Sequence, residues 1–197
     1  MPPQFGRSAL HTILNLFHSV STIMPVFSAS SGPITIKAPA ENVWQKLCDT
    51  STWPSWNTFV PKADHVDVLD SHTSSDQEVW SIGQRRQFHV KMGGKITLRV
   101  MEVTAFETPV AEQEKRAWKI CWSAQGYPDF LLKTVRWNEV EETEGGGCVY
   151  RTGEDMDGVL AYFVKLLAGR AVASGINTWA KDLKDIAEKE EREKASL

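Results

Sequence analysis

The stretch ITIKAPAENVWQKLCDTSTWPSWN, residues 34–57, carries the local signals that decide the fold. Apolar and polar side chains alternate at its start, which predicts a short strand over 33–37 that ends at an Ala-Pro corner. Apolar side chains at helical spacing then predict a helix over 40–48, which Asp49 ends. The Trp-Pro pair that follows predicts a second short helix over 52–57, because the first turn of a helix accepts proline. These two helices are too short to form a bundle by themselves.

Downstream of this stretch, apolar and polar residues alternate in short segments that are typical of β-strands. The Gly93-Gly94 pair is a strong hairpin signal, because both residues tolerate a positive φ. Each segment has one apolar and one mixed face, as in an antiparallel sheet that is covered on one side. The predicted strands cover residues 66–69, 79–82, 86–92, 95–103, 117–122, 131–140 and 148–156.

After Asp157-Gly158 the apolar period changes from 2 to 3.6, which predicts one continuous helix with a core stripe from Leu160 to Ile186. The charged run over 188–194 predicts a solvated helix end. The stripe has small side chains in its middle, at Ala168, Ala171, Ser174 and Gly175. We therefore expect space between the helix and the sheet, so that Gly175→Leu would fill a void at little cost in stability. The predicted fold is α+β, a curved antiparallel sheet wrapped around a long C-terminal helix.

The composition excludes several classes of protein. Apolar residues make up 42% and charged residues 24% of the 197 residues, which is typical of a soluble globular protein. The net charge of −3 and the pI of about 6.0 do not indicate a nucleic-acid partner. Cys48, Cys121 and Cys148 are widely spaced, which predicts neither a disulfide framework nor a zinc site, and no metal or cofactor is expected. No segment has the roughly 18 consecutive apolar residues of a transmembrane helix.

Residues 1–31 are predicted to form an N-terminal extension, and residues 32–197 the folded domain. The extension has apolar residues at helical spacing, which predicts an amphipathic helix through Leu10, Ile13, Leu14, Phe17, Val20 and Met24. Such a segment could be a targeting peptide or a helix that packs on the domain. Polar residues interrupt its apolar stretch and it carries a single arginine, so we favour the second interpretation and a cytoplasmic protein.

Three segments resemble one known family. Residues 34–57 resemble the opening of the START/Bet v 1-like superfamily, in its polyketide cyclase/dehydrase and lipid-transport branch, which includes coenzyme Q-binding proteins. GCVYRTGEDMDG (147–158) resembles the strand of that branch that carries an inward Glu and ends at a Gly, and WAKDLKDIAE (179–188) resembles its helix end. The resemblance implies a helix-grip fold around an apolar cavity. Members of this family include carriers of hydrophobic ligands and polyketide cyclases, so the fold alone does not fix the function.

Alternation along the last strand places Glu154 on an apolar face, beside Tyr150. A desolvated carboxyl has a raised pKa, which suits a general acid or base. Arg136 has the parity of an inward residue and could pair with Glu154 or hold a carboxylate or enolate oxygen of a ligand. The alternative for Glu154 is structural: it would pair with a buried Arg or Tyr and brace the start of the helix. The alternative for Arg136 is a position in solvent. Arg99 is expected to point into solvent, away from the face of Ile96 and Leu98.

Aromatic and apolar residues of the predicted inner face are candidates for ligand binding, and filling the core is the alternative role for the aromatic ones. The candidates from the helices and loops are Trp53, Trp56, Phe59, Tyr127, Phe130, Ala171, Ser174 and Gly175. The candidates from the strands are Phe88, Val90, Met92, Trp118, Trp122, Thr152 and Met156.

Two functions remain open on the sequence. The first is a carrier or binding protein for an apolar small molecule, such as a polyketide, a lipid or a quinone. The second is a polyketide or terpenoid cyclase or dehydratase of secondary metabolism, with Glu154 as general acid or base assisted by Tyr150 or Arg136. In this second case the shape of the cavity would accelerate the reaction by restricting conformers of the substrate.

Overall fold

The computed structural model describes residues 24–66, 80–110 and 115–196. They form an eight-stranded antiparallel sheet with short helices after its second strand and two helices at the C-terminal end, which confirms the predicted α+β architecture. The strands are β1 (Phe27–Ser30), β2 (Ile34–Ile36), β3 (Ala63–His65), β4 (Arg85–Met92), β5 (Lys95–Glu107), β6 (Ala117–Ala124), β7 (Lys133–Glu142) and β8 (Cys148–Asp157). The helices are α1 (Ala40–Cys48), α2 (Trp53–Trp56), α3 (Val159–Leu167) and α4 (Gly169–Lys194), with a 3-10 turn at Thr50–Thr52.

The sheet has the order β1-β8-β7-β6-β5-β4-β3. Strands β3 to β8 therefore follow one another as a meander, and Gly93-Gly94 joins β4 to β5 as predicted. The first two strands of the chain both pair with β8: β1 lies along Gly153–Met156 and β2 along Cys148–Tyr150. The predicted helix of the N-terminal extension, apart from Met24, and residues 67–69 of the strand predicted over 66–69 lie outside the described residues. The strand predicted over 79–82 is wrong for its described residues 80–82, which enter a turn that is closed by a hydrogen bond from the Gln84 amide to the Ser81 carbonyl.

Strand β1 was not predicted, and it lies on the extension's side of the boundary expected at residue 32. Its four residues are nevertheless part of the same sheet, with Ala29 directly opposite Glu154 of β8. The Val26 amide also donates a hydrogen bond to the Asp157 carboxylate, at 3.1 Å. Residues 26–30, which the predicted boundary assigns to the extension, thus belong to the sheet and its contacts.

The prediction of one continuous C-terminal helix is wrong. Helices α3 and α4 meet at Ala168 with an angle of 77° between them. Strand β1 and the residue before it contact both helices at this bend. The Val26 carbonyl accepts a hydrogen bond from Lys165 of α3, and the Phe27 ring of β1 lies against Gly169 of α4. No single described helix is long and apolar enough to cross a membrane, whereas α3 and α4 together meet that criterion of length and composition.

The bend resets the phase of the helix, so the predicted core stripe does not continue across it. Leu167 is 81% exposed, and Ala171 and Ser174 are exposed as well. The buried side of α4 lies about one position further along the chain, at Gly169, Val172, Gly175, Ile176, Trp179, Ala180, Leu183 and Ala187. Helix α3 buries Ala161 and leaves an exposed apolar face of Val159, Tyr162, Phe163, Leu166 and Leu167.

The core between the sheet and helices α1, α2 and α4 is dominated by an aromatic cluster, which comprises Trp53, Trp56, Trp80, Phe88, Trp122 and Trp179. The Trp53 ring lies at its centre, with the Trp179 ring centroid 4.9 Å away and the Phe88 centroid 5.3 Å away, both edge to face. Edge-to-face contacts of this kind stabilise a core beyond the area that they bury. The stretch 34–57 forms the predicted strand and helices. Its residues Trp53 and Trp56 belong to this cluster and pack it against the sheet.

Candidate functional site

A cavity of about 200 Å³ lies beside the aromatic cluster, between the inner face of strands β4 to β8 and helices α3 and α4. Most of its wall is apolar or aromatic. Six polar residues interrupt this wall, namely Thr97, Arg99, Gln125, Thr134, Arg136 and Glu154. A mostly apolar pocket with a few convergent polar groups is the usual form of a site for a small molecule.

Arg136 and Glu154 face each other across strands β7 and β8, as direct cross-strand neighbours. The Arg136 Nη1 lies 4.0 Å from the Glu154 Oε2, and their side chains are 6% and 17% exposed. The Arg136 guanidinium also lies over the Trp179 ring, 5.0 Å from its centroid. The structure therefore places Arg136 inward, next to Glu154, which is the arrangement that the parity of β7 predicts.

Burial controls the proton affinity of both groups. It raises the pKa of the Glu154 carboxyl above its usual value, and the nearby charges of Arg136 and Arg99 oppose this only in part. Burial also lowers the pKa of Arg136, but a guanidinium keeps its proton far above neutral pH. The cavity thus contains one fixed cation beside a carboxyl that binds its proton more tightly than an exposed glutamate does.

Arg99 is exposed and faces away from Ile96 and Leu98, as expected, but it also lines the cavity, so the face of Ile96 and Leu98 is the outer one. Ile96 and Leu98, on the opposite face of β5, are 59% and 49% exposed. The apolar Ile96 and Leu98 suggested that their face of β5 is the inner one, but at this end of the strand that face is exposed to solvent. The two-residue turn at Gly93-Gly94 could have corrected this assignment, since it fixes a register in which Arg99 lies opposite the inward Phe88.

Nine of the candidate residues line the cavity. They are Phe59, Phe88, Val90, Met92, Trp122, Tyr127, Arg136, Glu154 and Met156. Sequence reasoning did not include the other lining residues among its candidates. They lie mainly on β5, at the ends of β6 and β7, and on the helices: Val60, Thr97, Arg99, Met101, Ala124, Gln125, Leu132, Thr134, Val164, Ala168, Val172 and Trp179. Most of them lie where the curvature of the sheet or the bend at Ala168 determines which side chains meet, and a linear pattern does not contain that information.

Tyr150 and Thr152 lie outside the cavity, in a buried polar network. The Tyr150 hydroxyl donates to the Asn138 Oδ1 at 2.6 Å and accepts a hydrogen bond from the Trp179 Nε1 at 2.8 Å. The Thr152 hydroxyl lies 2.9 Å from the same Asn138 oxygen. Burial raises the pKa of Tyr150 to about 12. Tyr150 therefore holds Trp179 in place, and the expected part in proton transfer has no geometric support.

Several other candidates belong to the core or the surface. Trp53, Trp56 and Trp118 are buried in the core and do not line the cavity, and Phe130 is 75% exposed. The small residues of α4 lie on a separate surface groove, which Phe59 and Met92 divide from the cavity: Ala171, Ser174 and Gly175. The space expected beneath Gly175 is filled by the Phe59 ring, because a Cβ at Gly175 would lie 2.1 Å from that ring.

Comparisons with known proteins agree with this architecture. The sequence model of the family described as "Polyketide cyclase / dehydrase and lipid transport" matches residues 24–188. The Oxopyrrolidines biosynthesis cluster protein O of Penicillium oxalicum is 33% identical over 168 residues, which cover 78% of this chain and 83% of that protein.

Similar solved structures share the fold at low sequence identity. A hypothetical protein of Helicobacter pylori superposes with a TM-score of 0.61 at 18% identity, covering 82% of this chain and 88% of that one. A START superfamily protein of Mycobacterium smegmatis gives 0.53 at 17% identity, covering 82% and 97%. A norcoclaurine synthase of Thalictrum flavum, in complex with a transition-state analogue, gives 0.55 at 11% identity, covering 84% and 96%.

Proposed function

This chain belongs to the polyketide cyclase / dehydrase and lipid transport family, and on that premise we propose that it binds an apolar small molecule of secondary metabolism in the cavity, as a carrier or binding protein. The observation that carries the proposal is the cavity itself, in which aromatic, methionine and aliphatic side chains enclose about 200 Å³ beside a small number of polar groups. Burial of a ligand there would remove apolar surface from water on both partners, which is the main favourable term in binding of this kind.

The similarity to a protein named for an oxopyrrolidine biosynthesis cluster supports secondary metabolism as the setting. A polyketide-like ligand is favoured over a long-chain lipid, because the cavity lies beside the tightly packed aromatic cluster. Flat or cyclic molecules fit a compact space of this kind better than an extended chain does.

A cyclase or dehydratase is the second candidate, and the position of Glu154 favours it. Burial raises the pKa of this carboxyl, and the group can donate its proton as a carboxylic acid or accept one as a carboxylate. The neighbouring Arg136 would stabilise negative charge on an enolate oxygen while a proton is transferred at the adjacent carbon. In a dehydration, the Glu154 carboxylate would take the proton from the carbon beside the carbonyl and then return it to the leaving hydroxyl, which departs as water as the C=C bond forms.

The binding proposal can be tested by filling the cavity. Val90→Trp introduces a large ring into the cavity wall, and Val100→Trp makes the same change on the opposite face of the neighbouring strand. Small molecules that co-purify with the wild-type protein, detected by mass spectrometry under native conditions, should be lost from Val90→Trp and kept by Val100→Trp. Equal occupancy in both variants would contradict the proposal.

Glu154→Gln separates the two candidate functions once a ligand is identified. A carrier should keep its affinity within about threefold, since glutamine has almost the same shape as glutamic acid. An enzyme should lose about 100-fold or more in turnover while it still binds, because a general acid or base contributes that much.

A further inference from the structure

Three adjacent strands place a row of polar groups on one wall of the cavity. Trp122 of β6 lies directly opposite Arg136 of β7, and Arg136 lies directly opposite Glu154 of β8. Direct neighbours in antiparallel strands have their Cβ atoms about 5 Å apart on the same face of the sheet. The indole, the guanidinium and the carboxyl are therefore side by side, and all three residues line the cavity.

Two hydrogen-bond donors in this row are unsatisfied. The Arg136 Nη2 and the Trp122 Nε1 are buried, and neither has a hydrogen-bond partner among the described residues. A buried donor without a partner destabilises the folded protein, and more so when the group is charged. Such groups are normally satisfied, so two of them beside one cavity indicate that a bound molecule supplies the acceptors.

The charges around the row have one predominant sign. Arg136 and Arg99 both line the cavity, and Glu154 is the only acidic residue among the described residues of its wall. With two arginines and one glutamate, the described wall has a net positive charge even when Glu154 is ionised. It would attract an anion and disfavour a cation.

We propose that the ligand is an apolar molecule with a planar, resonance-stabilised oxygen anion, a carboxylate or the enolate of a 1,3-dicarbonyl, and that its oxygens accept hydrogen bonds from Arg136 and Trp122. This inference rests on the proposed function, and it adds the chemical class of the ligand and the point that holds it. A guanidinium matches a planar anion of this kind by geometry as well as by charge. The apolar body of the molecule would lie against Phe88, Val90 and Met156.

Two probes of the same shape test the inference. Naphthalene-2-carboxylate is anionic at pH 7 and naphthalene-2-carboxamide is neutral, so the difference in affinity isolates the charge. In isothermal titration calorimetry we expect the carboxylate to bind at least about tenfold more tightly, as expected for a charge-assisted hydrogen bond that replaces a neutral one.

Two variants test whether Arg136 and Trp122 cause the preference for the carboxylate over the carboxamide. Arg136→Met should reduce the preference for the carboxylate to about twofold or less, while Arg170→Met, an exposed arginine at the start of α4, should leave it unchanged. Trp122→Phe removes the indole N–H and keeps an aromatic ring. We expect it to lower the affinity for the carboxylate by about three- to tenfold and the affinity for the carboxamide by less. It also provides an independent test if Arg136→Met does not fold.

The outcomes separate this inference from the function on which it rests. Equal affinities of the wild-type protein for both probes, or a preference that survives both Arg136→Met and Trp122→Phe, would overturn the oxyanion site and leave the apolar cavity intact. If neither probe binds, the oxyanion site and the proposed binding function both fail.

Discussion

Substitution of Gly175 by alanine tests how closely helix α4 packs against the cavity wall. A Cβ at this position would lie 2.1 Å from the Phe59 Cε2 and 2.5 Å from two more ring atoms. Carbon atoms in contact are normally at least about 3.5 Å apart, so the ring would have to move by about 1.4 Å. The helix backbone cannot yield, because α4 is packed along the sheet. The Phe59 ring borders both the cavity and the surface groove, and a shift away from Gly175 into the cavity would reduce the space for a ligand.

Two effects of opposite sign then determine the stability of Gly175→Ala. Alanine is favoured over glycine inside a helix by about 1 kcal/mol, whereas overpacking a buried site costs about 1–3 kcal/mol. We expect the free energy of unfolding in urea to fall by about 0–2 kcal/mol. The effect on binding should be larger: a displaced ring that removes the space of two methylene groups costs a ligand about 1.6 kcal/mol, which is more than tenfold in affinity.

Gly169→Ala is the matched control on the same helix. Its Cβ would lie 3.4 Å from the Phe27 ring, which is an ordinary contact, and it does not line the cavity. This variant should be slightly stabilised, by up to about 1 kcal/mol, and should bind naphthalene-2-carboxylate like the wild type. In a Phe59→Leu background, Gly175→Ala should become stabilising too, because the clash is gone. If Gly175→Ala by itself stabilises the protein and leaves binding unchanged, the Phe59 ring does not rest on Gly175 and this reasoning is refuted.

Three further predictions concern other parts of the structure. Tyr150→Phe should lower the free energy of unfolding by about 1–3 kcal/mol, because it leaves Trp179 and Asn138 without their shared hydroxyl, but probe affinity should change less than about twofold. Denaturation in urea and titration of the same samples measure both. The folded state binds the Glu154 proton more tightly than the unfolded state, whose pKa is near 4.5, so wild-type stability should fall as pH rises above about 4.5. Glu154→Gln should flatten that dependence, and parallel curves for the two proteins would refute it. Leu167→Gln should change stability by less than about 0.5 kcal/mol, since the residue is 81% exposed, and a loss above about 2 kcal/mol would indicate an unbroken helix.

The parts of the fold that local patterns determine could be predicted from the sequence. The period of 2 along β4 to β8 and the helical spacing of 40–48 are properties of single segments, and both predictions are confirmed. The bend at Ala168 was not predicted. Gly169 is a weak signal for the end of a helix, no proline is present there, and the contacts at the bend depend on β1, far away in the chain. A strand of four residues such as β1 is too short to give a clear alternation by itself.

The candidate site, like the fold, could be predicted only in part from the sequence. The parity of Arg136 and Glu154 depends on their own strands, and the structure places both in the cavity as expected. Tyr150 has the same parity as Glu154, but four residues along a strand displace it by about 13 Å, beyond the cavity and into the core. Parity identifies the face of a sheet and not the position along it. The position depends on where the helices cover that face.

The aromatic cluster also gives the protein an optical property. Its five tryptophans form a connected set, in which the ring centroids of neighbours lie between 4.9 and 6.4 Å apart. Excitation can transfer among rings at such separations, so the set emits as a unit and not as five independent fluorophores. Two of its members, Trp122 and Trp179, also form part of the cavity wall. A ligand that touches either ring would therefore alter the emission of the whole cluster, and unlabelled protein could report the occupancy of its own cavity.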